Sequence, residues 1–383
     1  MVTGAEVVDD VTAGLGWPRD VTVDPRIGWP DVPRETSEWT SVAHLAAAAV
    51  RPEGDHGTGE SSTPVVSIVA PSYQDRSRIP RPPGPRRAKF DEDEFAVPPA
   101  PESGDRGVSR ETTRSDSLPA PASTRVFVVA NQKGGVGKTT SSVNLAAALA
   151  LGGLSVLLID LDPQGNASTA LGIDHPPGTP GTYDVLIGGD SIADHVVDSP
   201  EAPRLKVLPA TIDLAGAEIE LVSVVARENR LLRSLTAYLK DDPVDYVFLD
   251  CPPSLGLLTL NALVAANEIL IPIQCEYYAL EGVSQLMRTI NLVEGELNDR
   301  LRVSTVLLTM FDGRTKLAAQ VADEVRTHFT EETLPTVIPR SVRISEAPSY
   351  GQTVLTYHPD SAGAVSYLKA AQEIALRGAK ETT

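Results

Sequence analysis

One stretch of this chain has residue types and spacing that prescribe a chemistry: Asn131-Gln132-Lys133-Gly134-Gly135-Val136-Gly137-Lys138-Thr139-Thr140. A glycine-rich turn between an apolar run and a helical pattern aims several backbone N–H groups at one point. The positive end of the helix dipole adds to them, and the result is a phosphate site. Lys138 supplies charge to the β and γ phosphates, and the Thr139 hydroxyl is placed to ligate Mg²⁺. The general form of this loop wants a glycine five positions before Gly137, where this chain has Gln132 followed by a second lysine, Lys133. Packing offers no reason for a lysine in a tight loop that already holds Lys138. The match is to the deviant Walker A form.

Two further segments supply carboxylates. Leu157-Leu158-Ile159-Asp160-Leu161-Asp162-Pro163 places Asp160 and Asp162 at the C-terminal edge of a buried strand, where open α/β sheets bind ligands. Val247-Phe248-Leu249-Asp250 ends another apolar run in an acid, the Walker B pattern, and Cys251-Pro252-Pro253 forces a turn after it. Singly, each aspartate reads as a cap or turn residue. Together with the glycine loop they describe a phosphoryl-transfer site, where positioning and Mg²⁺ do most of the work.

These groups need a scaffold that brings strand ends together. From Val126 onward apolar strands alternate with amphipathic helices, the pattern of a doubly wound, mostly parallel α/β sheet with helices on both faces. Strands are expected at Val126–Ala130, Val156–Asp160, Lys206–Leu208, Tyr246–Asp250, Ile269–Ile273, Val303–Thr309 and Thr336–Ile338. Helices are expected at Lys138–Leu151, Leu214–Leu239, Gly256–Ala266, Tyr278–Leu297, Lys316–His328 and Gly363–Arg377.

The 383 residues divide unevenly: 16 of the 31 prolines and all three tryptophans precede residue 125. This reads as a proline-rich, disordered extension over 1–122 and one globular nucleotide-binding domain over 123–383. Within the extension only Ser41–Val50 looks helical, a segment that could dock on another protein but is marginal as an isolated helix. The formal net charge is −18, of which about −7 lies before Arg125, so nucleic acid is not bound by bulk charge and any contact must be a local patch. Two cysteines, Cys251 and Cys275, cannot build a disulfide framework or a four-cysteine metal site. No signal peptide or bilayer-length apolar run is present, and the expected compartment is the cytoplasm.

Over Arg125–Arg377 the residues resemble the ParA/Soj chromosome-partitioning ATPases. Seven ordered blocks carry the likeness: Lys133–Thr140, Asp160–Ser168, Leu208–Leu221, Asp250–Asn261, Gln274–Gly282, Leu308–Thr315, and Val337–Arg340 with Ser345–Pro348. The resemblance implies that ATP and Mg²⁺ are the cofactors and that two ATP-bound subunits stack face to face. In that homodimer Lys133 of each subunit reaches the other's nucleotide. It further implies that Asp162 helps position the attacking water, that Asp160 and Asp250 support the metal, and that Pro339 lies against the adenine. Ser341 stands where many members have asparagine. Arg314 and Arg343 match positions that bind double-stranded DNA without sequence preference, through its phosphates, which would place the protein on the nucleoid. A ParB-type centromere-binding protein is the implied stimulator of an otherwise weak hydrolysis. Without the resemblance, each arginine reads as solvated or paired with Asp312 or Glu346.

Other readings use the same loop. A MinD-like ATPase that positions a membrane or protein cargo would want a basic amphipathic C-terminal helix, and the tail after Ile374 lacks that pattern. An iron–sulfur carrier would want paired cysteines bridging a dimer. A partition repressor would want two amphipathic helices joined by a short turn in the extension, which its prolines do not allow.

Overall fold

A computed structural model describes residues 117–277 and 279–380. The expectations for the extension up to residue 116, including Ser41–Val50, lie outside the described residues.

The apolar runs form seven strands: β1 (Arg125–Val129), β2 (Val156–Asp160), β3 (Val197–Asp198), β4 (Leu205–Leu208), β5 (Tyr246–Asp250), β6 (Glu268–Gln274) and β7 (Arg302–Thr309). Their order is β3-β4-β2-β5-β1-β6-β7, parallel throughout except for β3, which pairs antiparallel with β4 at the edge. The central strands are buried along their whole length, as expected of a sheet covered on both faces.

Alternation along each strand divides two cores. Val126, Val128, Leu157, Ile159, Val247 and Leu249 face one layer; Phe127, Val129, Val156, Leu158, Tyr246 and Phe248 face the other. The second layer is closed by α1 (Lys138–Leu151) and the C-terminal helix α11 (Ala362–Lys380), both Ala-rich on their contact faces. Each fully buried leucine or valine here contributes about 1.5–3 kcal/mol, so the sheet and these two helices form a rigid frame. Between α1 and α11 the remaining helices are α2 (Asn166–Ala170), α3 (Ile192–His195), α4 (Leu214–Glu220), α5 (Arg230–Asp241), α6 (Leu257–Ala265), α7 (Ala279–Glu296), α8 (Lys316–His328), α9 (Val342–Glu346) and α10 (Val354–Tyr357). A π-turn spans Asp184–Gly188.

Two expectations fail. The helix Leu214–Leu239 is broken: α4 ends at Glu220, Val224 is extended, Ala226 takes a left-handed φ of 50°, and α5 starts only at Arg230. The strand Thr336–Ile338 does not form. That segment does run beside β7, with Leu334 and Ile338 N–H groups donating to the Val306 and Leu308 carbonyls at 2.9 and 2.8 Å. Pro335 and Pro339 flank it and cannot donate to a ladder, so only isolated bridges at Thr333 and Pro339 remain. The short α2, α3, α9 and α10 and the two-residue β3 are additions to the expected elements.

The start of the sheet is pinned separately. Arg125, buried at the first position of β1, donates from Nε to Glu268 Oε1 at 2.7 Å and from Nη1 to the Ile374 carbonyl of α11 at 3.0 Å.

Candidate functional site: a phosphate loop with carboxylates at two strand ends

The loop between β1 and α1 is shaped by glycines where the backbone requires them. Gly135 has φ +74° and Gly137 φ +89°, the left-handed region that a side chain disfavours. A Cβ built on Gly134 or Gly135 would meet nothing within 4 Å, so the loop walls an open cradle. Its floor is tied to the sheet: Thr309 Oγ1, at the end of β7, donates to the Val136 carbonyl at 2.8 Å, and Asn131 Nδ2 donates to the Pro272 carbonyl at 2.9 Å.

The two lysines of the loop occupy different settings. Lys138 is buried and its Nζ donates to the Lys133 carbonyl at 3.4 Å. Burial lowers its pKa, and the nearby carboxyl groups of Asp250 and Asp162 oppose that shift. Lys133 is a third exposed and its Nζ lies 3.7 Å from Glu276 Oε2.

The carboxylates converge because β2 and β5 are in register, with Asp160 opposite Asp250. Asp160 is saturated. Its Oδ2 accepts from Ser168 N at 2.9 Å and Ser168 Oγ at 2.8 Å, and its Oδ1 accepts from Asp162 N at 3.1 Å. Asp250 is not saturated: Oδ1 accepts from Ser142 Oγ at 2.7 Å, but Oδ2 is buried with no hydrogen-bond partner. Desolvation raises both pKa values, Asp160 to about 6 and Asp250 to about 7, and in Asp250 the repulsion of Asp160 is the next cause. The Ser142 and neighbouring Thr139 hydroxyls pull Asp250 back down. Asp162 is buried at the mouth and accepts from Gln164 N at 3.0 Å.

This donor set fits a nucleotide carrying a divalent cation. An orphaned carboxylate oxygen and a raised carboxylate pair are what a nearby cation would relieve, and the open loop has room for phosphate oxygens. Among the described residues no group of three or more His, Cys, Asp or Glu is arranged to hold a metal by itself. Such an ion would draw ligands from beyond a carboxylate cluster, such as the Thr139 hydroxyl and phosphate oxygens. Thr139 and Thr140 also line one wall of a cleft of about 440 Å³ that continues past Val143 to Asn166 and Pro348.

The sequence-derived residues Lys133 through Thr140, Asp160, Asp162 and Asp250 thus gather at one edge of the sheet. Pro339 lies past the end of β7, half-buried, where Met310 turns the chain with φ 50° and Phe311 bridges to Pro339. Arg314, in the turn before α8, is 89% exposed by its side chain and forked onto Asp312 at 2.9 and 2.8 Å. Arg343, on α9, lies 3.4 Å from Glu346. Sequence reasoning missed Ser142, Ser168, Thr309 and Glu276. Ser142 follows Lys138 by one helical turn, and Ser168, Glu276 and Thr309 sit inside three of the recognised blocks, which is the only signal they gave. Cys251 and Cys275 are both buried, and burial drives both thiols up, Cys275 to about 11.

Fold and loop together define a P-loop nucleoside triphosphatase of the deviant Walker A type. The family model described as an AAA domain matches residues 124–303. The chain is 52% identical over 254 residues to the sporulation initiation inhibitor protein Soj of Bacillus subtilis, covering 66% of this chain and 99% of that one. It is also 52% identical over 253 residues to the chromosome partitioning protein ParA of Caulobacter vibrioides, covering 66% and 94%. Among solved structures, a protein titled cobyrinic acid a,c-diamide synthase from Mycobacterium smegmatis, with bound ADP and magnesium, is similar at 39% identity and a TM-score of 0.58. That match covers 68% of this chain and 97% of the other. The chain belongs to the ParA/Soj family of chromosome-partitioning ATPases.

Proposed function

We propose that this ATPase is a Mg²⁺-dependent partition switch: two ATP-bound protomers pair face to face, the pair binds DNA without sequence preference, and stimulated hydrolysis releases it. The observation that carries this reading is the division of labour between the lysines. Lys138 is buried over its own phosphate cradle, whereas Lys133 is a third exposed at the rim in a weak ion pair with Glu276, from which it can be drawn to a nucleotide other than its own.

In the reaction, water attacks the γ-phosphorus in line and the bond to the β–γ bridging oxygen breaks, leaving ADP and phosphate. Lys138 and the loop amides hold the β and γ oxygens. Asp162, at the mouth, accepts a hydrogen bond from the water and fixes its direction. Lys133 of the opposite protomer adds positive charge as equatorial oxygens become more negative, in the manner of an arginine finger. A bound Mg²⁺, held by Thr139 with Asp160 and Asp250 behind it, would neutralise charge on the β and γ oxygens. Pro339 would pack against the adenine.

For DNA, Arg314 and Arg343 supply phosphate contacts, each first leaving its own acid, Asp312 or Glu346. A ParB-type centromere-binding protein is the proposed stimulator, and the nucleoid the place of action. The MinD-like alternative is weaker because α11 buries its apolar face, from Ala364 to Ala375, against the domain. Among the described residues no helix is long and apolar enough to cross a membrane.

The test is binding of the full chain to unrelated duplex DNA with ATP, with ADP and without nucleotide, across a salt series. ATP-dependent, sequence-indifferent binding that weakens steeply with salt supports the switch. ATP-dependent dimers that ignore DNA would overturn it and leave an ATPase with another cargo.

A further inference from the structure

Glu276 is the first residue beyond the end of β6 whose side chain re-enters the site. Its carboxylate gathers three donors. Oε1 accepts from Gln274 Nε2 and, at 3.0 Å, from Arg340 Nη2; Oε2 faces Lys133 Nζ at 3.7 Å. The backbone preorganises it, with Glu276 N–H donating to the Gln274 carbonyl at 2.8 Å. Arg340 is in turn placed by its own N–H on the Phe311 carbonyl at 3.0 Å, directly after Pro339. One carboxylate thus connects the phosphate loop to the segment beside β7.

We propose that Glu276 is a latch: it holds Lys133 inside its own protomer until the γ-phosphate of an ATP-bound partner competes for the lysine. This rests on the reading of Lys133 as a residue that acts across the dimer. The strength of the contact suits a latch and not a brace. A brace in this fold looks like Arg125–Glu268, whose side chains are 7% and 5% exposed; Lys133 and Glu276 are 33% and 45% exposed. Ion pairs so open to water are weak and break readily. One carboxylate charge is also divided between Lys133 and Arg340, so neither cation is fully neutralised. A triphosphate carries more charge than the carboxylate and outcompetes it at short range. ADP lacks the terminal group and competes less well, so the latch ties release of Lys133 to the nucleotide state of the partner.

The division of charge predicts opposite signs for two substitutions in the full chain. Glu276→Gln keeps the shape and removes the charge, freeing Lys133. Arg340→Ala removes the cation that competes with Lys133 for the carboxylate, tightening the latch. With Mg²⁺ and a slowly hydrolysed ATP analogue at saturation, sedimentation should show Glu276→Gln dimerising at a protein concentration up to about five-fold lower than wild type. Arg340→Ala should need a higher concentration. In nucleotide-free protein, amide exchange at Lys133–Gly135 should quicken in Glu276→Gln and slow in Arg340→Ala. A purely structural role would move both variants in the same direction, and that result, or unchanged exchange in Glu276→Gln, overturns the latch. If Lys133→Ala dimerises normally, the trans-lysine reading fails instead, while the exchange measurement without nucleotide still decides whether Glu276 holds the loop.

Discussion

The floor and the rim of the nucleotide site are built on different principles. On the floor, Asp160 and Asp250 are fixed by strand register and by Ser142 and Ser168, with every partner buried. On the rim the ion pairs are open to water: Arg314 with Asp312 and Arg343 with Glu346 lie within a few residues of each other in the chain, and Lys133 with Glu276 joins two different loops. Buried polar networks are costly to break, whereas surface pairs exchange partners at little cost. The floor is therefore suited to chemistry that must be placed accurately. The rim is suited to contacts that change with nucleotide state.

Substituting one lysine from each region breaks this comparison most severely. Lys138→Ala should lower ATP turnover by roughly 10²-fold or more and weaken nucleotide binding with it, because the charge faces the phosphates directly. Lys133→Ala should leave nucleotide binding near wild type while the ATP dimer disappears from sedimentation profiles. Equal losses of nucleotide affinity in both variants would erase the distinction between floor and rim.

A smaller effect is expected at the rim arginines. An Arg314→Ala, Arg343→Ala double variant should still dimerise, but its affinity for duplex DNA should drop about ten-fold or more at moderate salt. The slope of log affinity against log salt should shrink by roughly one per lost phosphate contact. An unchanged slope would remove these arginines from the DNA surface.

The smallest effect sharpens the account of the floor. Asp160 and Asp250 have folded pKa values of about 6 and about 7, above the ordinary aspartate range. A folded pKa above the unfolded one means the folded state keeps a proton that the unfolded chain releases. The resulting stability is fully present below about pH 4 and is lost as pH rises through 6 to 7. Urea midpoints of the nucleotide-free protein should carry this decline between pH 5 and 8. Asp250→Asn should flatten it, since Oδ1 can still accept from Ser142 while the charge is gone. A variant as pH-dependent as wild type would show that the pair does not titrate in this range.

The floor was more legible in the sequence than the rim, for physical reasons. Asp160 and Asp250 each end an apolar run, and although either alone reads as a cap or turn residue, together with the glycine loop they mark a phosphate site. Ser142 and Ser168 orient those carboxylates but look like ordinary small residues in helices, and only the fold shows what they face. The break between α4 and α5 was hidden because Ala226 adopts a left-handed conformation that alanine does not advertise. The segment ending at Pro339 satisfies its backbone against β7 without becoming a strand, a distinction set by its prolines that apolar patterning passed over. Glu276 was invisible as a partner of Lys133, because 143 residues separate them and neither is unusual alone.

The attachment of Arg125 to the Ile374 carbonyl, with α11 packed beside α1, has a practical consequence for handling the protein. The strand that leads into the phosphate loop and the last helix share one anchor. A fusion or affinity tag beyond Lys380 leaves that anchor alone, but a deletion reaching Ile374 strips the guanidinium of an acceptor and uncovers the back of the loop's own helix. Shortened versions of the chain should consequently be judged by nucleotide affinity before anything is concluded about the tail as a partner-binding element.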